Sequence, residues 1–265
     1  KFGILMHEGL EFLDIRRVAQ GELSDADLRA MLRHIMDRAG TRDETGWHSW
    51  HSSHEKKNLE SLVRTLVWYF DQYRDDAYQV LRLKNGKAAV ELSFRFELPF
   101  GIAGEPLLYC GHLDSLGSYA GQPYFLDRKT TGSALAPSFF ESFSPNIQMS
   151  GYTLAARNLF EVPALGGIID AMQIGTGFSR FGRHFVTRST EQLEEWLLGT
   201  QISIEQSLRY HSTGQFPMNE TACSMYGGCK FRSICGKSPS VRGRFLESNF
   251  ERRVWDPLTP RGVSE

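Results

Sequence analysis

Two short pieces of the chain carry residues able to do chemistry together: Gly111-His112-Leu113-Asp114 and Asp127-Arg128-Lys129. Asp127 and Lys129 are two apart, so on a strand both side chains leave the same face. Carboxylates hold hard divalent cations such as Mg²⁺ or Mn²⁺. A lysine beside them can orient a water, or bind the scissile phosphate by charge-assisted hydrogen bonds. The chemistry this suggests is metal-assisted hydrolysis of a phosphodiester, with Asp114 and Asp127 as ligands and the carbonyl of Arg128 as a further oxygen. An Asp-x-Lys triplet alone is also what a plain surface ion pair looks like. Asp114, one hairpin earlier, and Gln148 and Tyr152, four apart on the next helix, narrow the reading.

The elements that must position these residues follow from local pattern. Residues 2–18 read as a helix ending before Gly21, with His7 and Glu11 on one face. Ser24 is an N-cap with Asp27 as its box partner, and Leu28, Leu32, Ile35 and Met36 form a stripe ending at Gly40. Residues 41–54 are polar and irregular, with Trp47, Trp50 and three histidines, His48, His51 and His54. They read as a loop near the substrate entry, or as a metal site if helical. Leu59, Leu62, Val63, Leu66, Val67 and Phe70 mark an amphipathic helix covering the sheet. Segments 80–84 and 86–90 flank Asn85-Gly86, a hairpin signal. Strands are expected at 90–98, with alternating apolar and polar residues, and at 107–114 and 124–129, with Gly117 and Gly121 in the turn. That hairpin brings Asp114 and Asp127 to neighbouring strands, close enough to share one ion. Residues 139–158 read as helical with Pro145 near the start or in a break. Strands at 165–174 and 181–187 pair across Gly175-Thr176-Gly177, and Ser189 or Thr190 caps a last long helix. The order fits a mixed sheet flanked by helices.

Four motifs in order resemble the PD-(D/E)XK nuclease superfamily, in particular its RecB-like exonuclease branch, which includes the CRISPR-associated adaptation nucleases. Gly3-x-x-x-His7-x-x-x-Glu11, Gly111-x-x-Asp114, Asp127-x-Lys129 and Gln148-x-x-x-Tyr152 match that branch's signature. The likeness spans residues 3 to 235. It implies a restriction-endonuclease-like α/β fold over residues 1–210, and a cysteine-containing, basic segment at 211–265 packed on that core. It implies that His7 ligates metal with Asp114 and Asp127, that Gln148 helps hold the lysine or the DNA backbone, and that Tyr152 contacts substrate or supports the site. Glu11 hydrogen-bonds a site group rather than the metal.

Cys223, Cys229 and Cys235 are separated by five residues each, and Cys110 lies on a core strand, where a thiol is a small buried hydrophobe. The spacing resembles the carboxy-terminal half of the iron–sulfur site in RecB-like nucleases, with a first gap longer than the family's two residues. The family's fourth cysteine precedes the early helix. None is present here, from which a missing upstream segment is expected. Three thiolates with a fourth ligand would hold a [4Fe–4S] cluster or, alternatively, Zn²⁺; reduced cysteines without metal are the third option.

The whole chain has 265 residues and a formal net charge of −1, which does not advertise a nucleic-acid binder. Between Lys230 and Arg253, however, seven basic residues face two acidic ones. Such a stretch is a solvated tail or a patch that follows phosphates. No apolar run approaches the ~20 residues of a membrane span. The resulting expectation is a metal-dependent DNA exonuclease of recombination, repair or phage DNA processing, located in the cytoplasm (the host's, if phage-encoded). It would act on single strands or duplex ends, with a helicase or recombination protein as partner. The competing class is a non-catalytic DNA-binding or assembly subunit of a larger nuclease complex.

Overall fold

Hydrophobic period and capping set the first half. The computed structural model describes residues 1–43, 46–102 and 104–253. Helix α1 (Phe2–Gln20) buries Phe2, Leu5, Met6, Leu10 and Leu13. Helix α2 (Asp25–Ala39) starts at Ser24, whose side chain and that of Asp27 cap each other's backbone as expected. The segment read as irregular forms a small hairpin, β1 (Gly40–Asp43) with β2 (Gly46–Ser49). Helix α3 (Leu59–Gln72) completes the layer, its start capped by Asn58. These three helices pack together and against Met172, Ile174 and Phe181 of the sheet.

The sheet has six strands: β3 (Tyr78–Val80), β4 (Val90–Ile102), β5 (Glu105–Tyr119), β6 (Gln122–Thr131), β7 (Gly166–Ile174) and β8 (Ser179–Thr187). Its order is β3-β5-β6-β7-β8, with β4 also on β5, and it is mixed: β6 and β7 run parallel, the other pairs antiparallel. The parallel step is a crossover carrying α4 (Pro137–Glu141) and α5 (Ile147–Asn158), so the single helix expected at 139–158 is two, with Pro145 between them. Helix α5 packs on the second face, against Phe125, Ile169 and Ala171. The protein is thus an α/β molecule with a mixed sheet flanked by helices.

Three local expectations change. Asn85-Gly86 does form a tight turn, but the flanking segments pair only through one bridge, Arg82 with Ala88, rather than as two strands. Strands β4 and β5 are longer than the alternation suggested. Gly117 lies inside β5, opposite Tyr124, and the turn is Ala120-Gly121, both at positive φ.

The chain divides into two compact units, Lys1–Leu198 and Gly199–Glu265, where the sequence suggested a boundary at 210. The division falls inside helix α6 (Thr190–Thr213), whose start is capped reciprocally by Ser189 and Gln192. In the second unit follow a 3₁₀ helix (Glu220–Gly227), α7 (Arg232–Cys235) and α8 (Pro239–Asn249). Among the described residues no helix is long and apolar enough to cross a membrane.

Candidate metal centre

The β5–β6 ladder ends at the pair Ser115–Leu126, so Asp114 and Asp127 stand one residue beyond it on neighbouring strands. On the other side of β5, Val90 pairs with Ser115 and Leu92 with Leu113, which sets Glu91 opposite Asp114. Side chains alternate along β6. Arg128 therefore points to the α1 side, while Asp127 and Lys129 point to the α5 side, where Gln148 and Tyr152 are.

Three groups converge: ligand atoms of His7, Glu91 and Asp114 all lie within 4.8 Å of one another. His7 Nδ1 is 3.3 Å from Asp114 Oδ1 and 3.9 Å from Glu91 Oε1. Asp114 is 8% exposed, and its Oδ2 accepts a hydrogen bond from the Arg128 backbone N–H at 2.6 Å. Burial pushes the Asp114 carboxyl up, but the closeness and charge of His7 and the Arg128 amide outweigh it and hold the group below its ordinary value. Burial pushes His7 down, and Asp114 outweighs that and raises it.

Glu91 was not singled out from sequence, where it looked like one of the wet-face residues of an alternating strand. Its φ of 45° lies in the left-handed region that a non-glycine residue rarely adopts. Such strain of about 1–3 kcal/mol persists where the surroundings impose it, and it clusters at functional sites. The available signal was the register: once 92 pairs with 113, residue 91 must face 114.

Asp127 stands beside this set rather than in it. It is 3% exposed. Its Oδ2 lies 2.6 Å from Lys129 Nζ, yet takes no well-aligned hydrogen bond. Burial lifts its pKa to about 6, with Asp114 adding to the rise and Lys129 opposing it. Lys129 Nζ in turn donates to Gln148 Oε1 at 3.2 Å, and Gln148 Nε2 donates to the Tyr152 hydroxyl at 3.1 Å. The Tyr152 ring meets Phe94 and Phe125 edge-on. A chain of contacts thus runs from the apolar core through tyrosine and glutamine to the lysine and carboxylate.

The donors fit a hard divalent cation. They comprise two carboxylates and an imidazole, a mixture better suited to Mn²⁺ than to Mg²⁺. A third carboxylate, Asp127, stands alongside with its Oδ2 2.6 Å from the Lys129 ammonium. A cation would offset the mutual repulsion of Asp114 and Asp127. Glu11, one turn beyond His7, is not among the three converging groups. Of Arg128, the structure places the amide on Asp114 and the guanidinium on Asp14.

The other histidines and the cysteines lie elsewhere. The stretch of His48, His51 and His54 is not helical, so the spacing that would gather them is not formed. His54 Nδ1 instead accepts the backbone N–H groups of Lys56 and Lys57, closing a turn before α3. Trp50 packs against the α1–α3 core, whereas Trp47 is 39% exposed. Cys223, Cys229 and Cys235 are all free thiols, and a backbone hydrogen bond from Cys229 to Cys223 draws the first two together. Among the described residues no cysteine belongs to a set of three ligand atoms as close as a closed zinc site needs.

No family model matches the chain, and no curated protein matches it. It is similar to a solved structure titled "Crystal structure of SSO0001", at 15% identity over 67% of this chain and 75% of that one, with a TM-score of 0.35. At that level the likeness carries no argument.

Proposed function

We propose that the protein is a divalent-metal-dependent deoxyribonuclease of the restriction-endonuclease-like kind, hydrolysing DNA phosphodiester bonds from an end. The observation that carries this reading is the convergence of His7, Glu91 and Asp114, with Lys129 of the neighbouring strand β6 held between Asp127 and Gln148. A metal ion, Mg²⁺ or Mn²⁺, held by His7, Glu91 and Asp114 with Asp127 alongside, would polarise a phosphate and lower the pKa of an attacking water.

The rest of the chemistry belongs to the chain. Lys129 has three N–H donors. One is taken by Gln148 and one side of the ammonium faces Asp127. The remaining donor is free to bind the attacking water or a non-bridging phosphate oxygen. Gln148 is held in turn by Tyr152, so the ammonium has its place set before substrate arrives. Contacts of this kind are to phosphate, so nucleotide identity should matter little. The same reading assigns the three carboxy-terminal cysteines to a [4Fe–4S] cluster, or to Zn²⁺. It sets the enzyme in recombination, repair or phage DNA processing, beside a helicase or recombination protein.

End-labelled single-stranded and duplex DNA, with free and blocked ends, tests this in the presence of Mg²⁺ or Mn²⁺. Cleavage should require the metal and a free end. Asp127→Ala and Lys129→Ala should each lose about 100-fold or more, the scale of removing one group that stabilises transition-state charge. Variants that cut like the parent would mean the site is wrong. A parent that binds DNA but never cuts it would make the protein a binding or assembly subunit.

A further inference from the structure

Arg128 lies between Asp127 and Lys129 in sequence, but its side chain leaves β6 on the opposite face. There it is buried, and its Nη2 donates to Asp14 Oδ2 at 2.6 Å. Asp14 belongs to α1 and follows His7 by seven residues. Seven residues are close to two helical turns, so both side chains leave the same side of α1. The backbone N–H of Arg128 meanwhile holds Asp114. One residue therefore grips the candidate centre twice, through β5 by its amide and through α1 by its guanidinium.

We propose that Asp14 and Arg128 are positioning residues: their ion pair fixes how far α1 slides and turns against β6, and so sets the His7 imidazole against Asp114 and Glu91. This inference rests on the metal-centre reading of those three groups. Helix α1 makes other polar contacts, Glu8 with Arg38 of α2, Arg17 with the Tyr73 carbonyl and the Val18 carbonyl with Arg82, but none of these joins α1 to β6, and the burial of Phe2, Leu5, Met6, Leu10 and Leu13 is not directional. A planar guanidinium facing a carboxylate is directional. Metal–ligand distances tolerate only about 0.2 Å, so a small slip of α1 would take His7 out of reach. Balancing charge is not a sufficient reason for the pair. The neighbouring buried Asp170 already has Arg183 at 3.1 Å, and buried ion pairs can often be replaced by apolar side chains of similar volume without loss of stability.

That last point supplies the test. The double variant Asp14→Leu with Arg128→Met removes both charges and keeps the volume. Circular dichroism and a thermal melt establish that it is folded, and Mn²⁺ binding is read from the electron paramagnetic resonance of the free ion. The dissociation constant should rise about tenfold or more in the double variant, the scale seen when groups that orient metal ligands are lost. Asp14→Glu keeps the charge but lengthens the arm by one methylene. It should fold and still bind Mn²⁺ more weakly than the parent, and it serves alone should the double variant not fold. Either folded variant binding Mn²⁺ as tightly as the parent would overturn the proposal. A folded parent that binds no Mn²⁺ would sink the metal centre itself, and this inference with it.

Discussion

His7 and Asp114 shift each other's titration in opposite directions, and that gives the site a readable proton. His7 is raised, so the stability it contributes is fully present below its unfolded value near 6.5 and is lost as pH rises through the folded one. Asp114 is lowered, so its contribution is present above its unfolded value near 3.9 and is lost as pH falls through the folded one. The pair is therefore most favourable in the window between, where histidine is charged and aspartate ionised. Burial alone would lower His7, and the contact with Asp114 reverses this. In Asp114→Asn the acceptor loses its charge, and Glu91 pulls only weakly, at 3.9 Å. The His7 midpoint, followed by NMR of the metal-free protein, should lie above 6.5 in the parent and fall below it in the variant. An unchanged midpoint would mean that the two groups do not face each other in solution. A metal needs the neutral imidazole, so affinity should also grow as pH rises through that midpoint.

At the scale of elements, the site depends on how closely β3, β5 and β6 approach. Gly117 sits where Tyr78 crosses β5: a Cβ there would run into the Tyr78 ring and come to 2.6 Å from the Gln79 backbone carbonyl oxygen. The backbone cannot yield as a flexible side chain can, so Gly117→Ala should lower stability by about 1–3 kcal/mol, the usual cost of overpacking. A denaturant midpoint that does not move would mean that β3 does not lie there. From sequence alone Gly117 reads as a turn residue, because glycine serves both turns and close approaches, and only the partner strand tells them apart. The same limit explains the rest of what was and was not legible. Periodicity and caps revealed α1, α2 and α3, and alternation revealed β4, because these are properties of neighbours in the chain. The placement of Asp114 near Asp127 followed from one short hairpin. Glu91 and the Asp14–Arg128 pair did not follow, because each depends on which element lies against which. The α4–α5 break was half visible, since Pro145 announced an interruption without saying where the helix resumes.

Taken whole, the molecule divides its apolar burial very unevenly. All three hydrophobic clusters lie within residues 1–198, whereas Ile234 is the one buried hydrophobic side chain among the described residues of the second unit. A unit of that size with so small a core is not held by burial, and small units of this kind are stapled by metals or disulfides. Its three cysteines are free thiols, and together they are the natural staple if they bind a cluster or zinc. The structure already brings Cys223 and Cys229 together through a backbone hydrogen bond, and the α7 turn carries Cys235. Protein purified without oxygen should then contain iron, with visible absorbance, or zinc without it. Chelation, or Cys229→Ser, should expose residues 199–253 to trypsin while 1–198 survives as a resistant fragment with its own cooperative melt, because the clusters that hold it are untouched. Equal resistance with and without metal would mean that the thiols hold nothing, and that the second unit is ordered by some other contact. Loss of the first unit along with the second would mean that the first does not stand by itself.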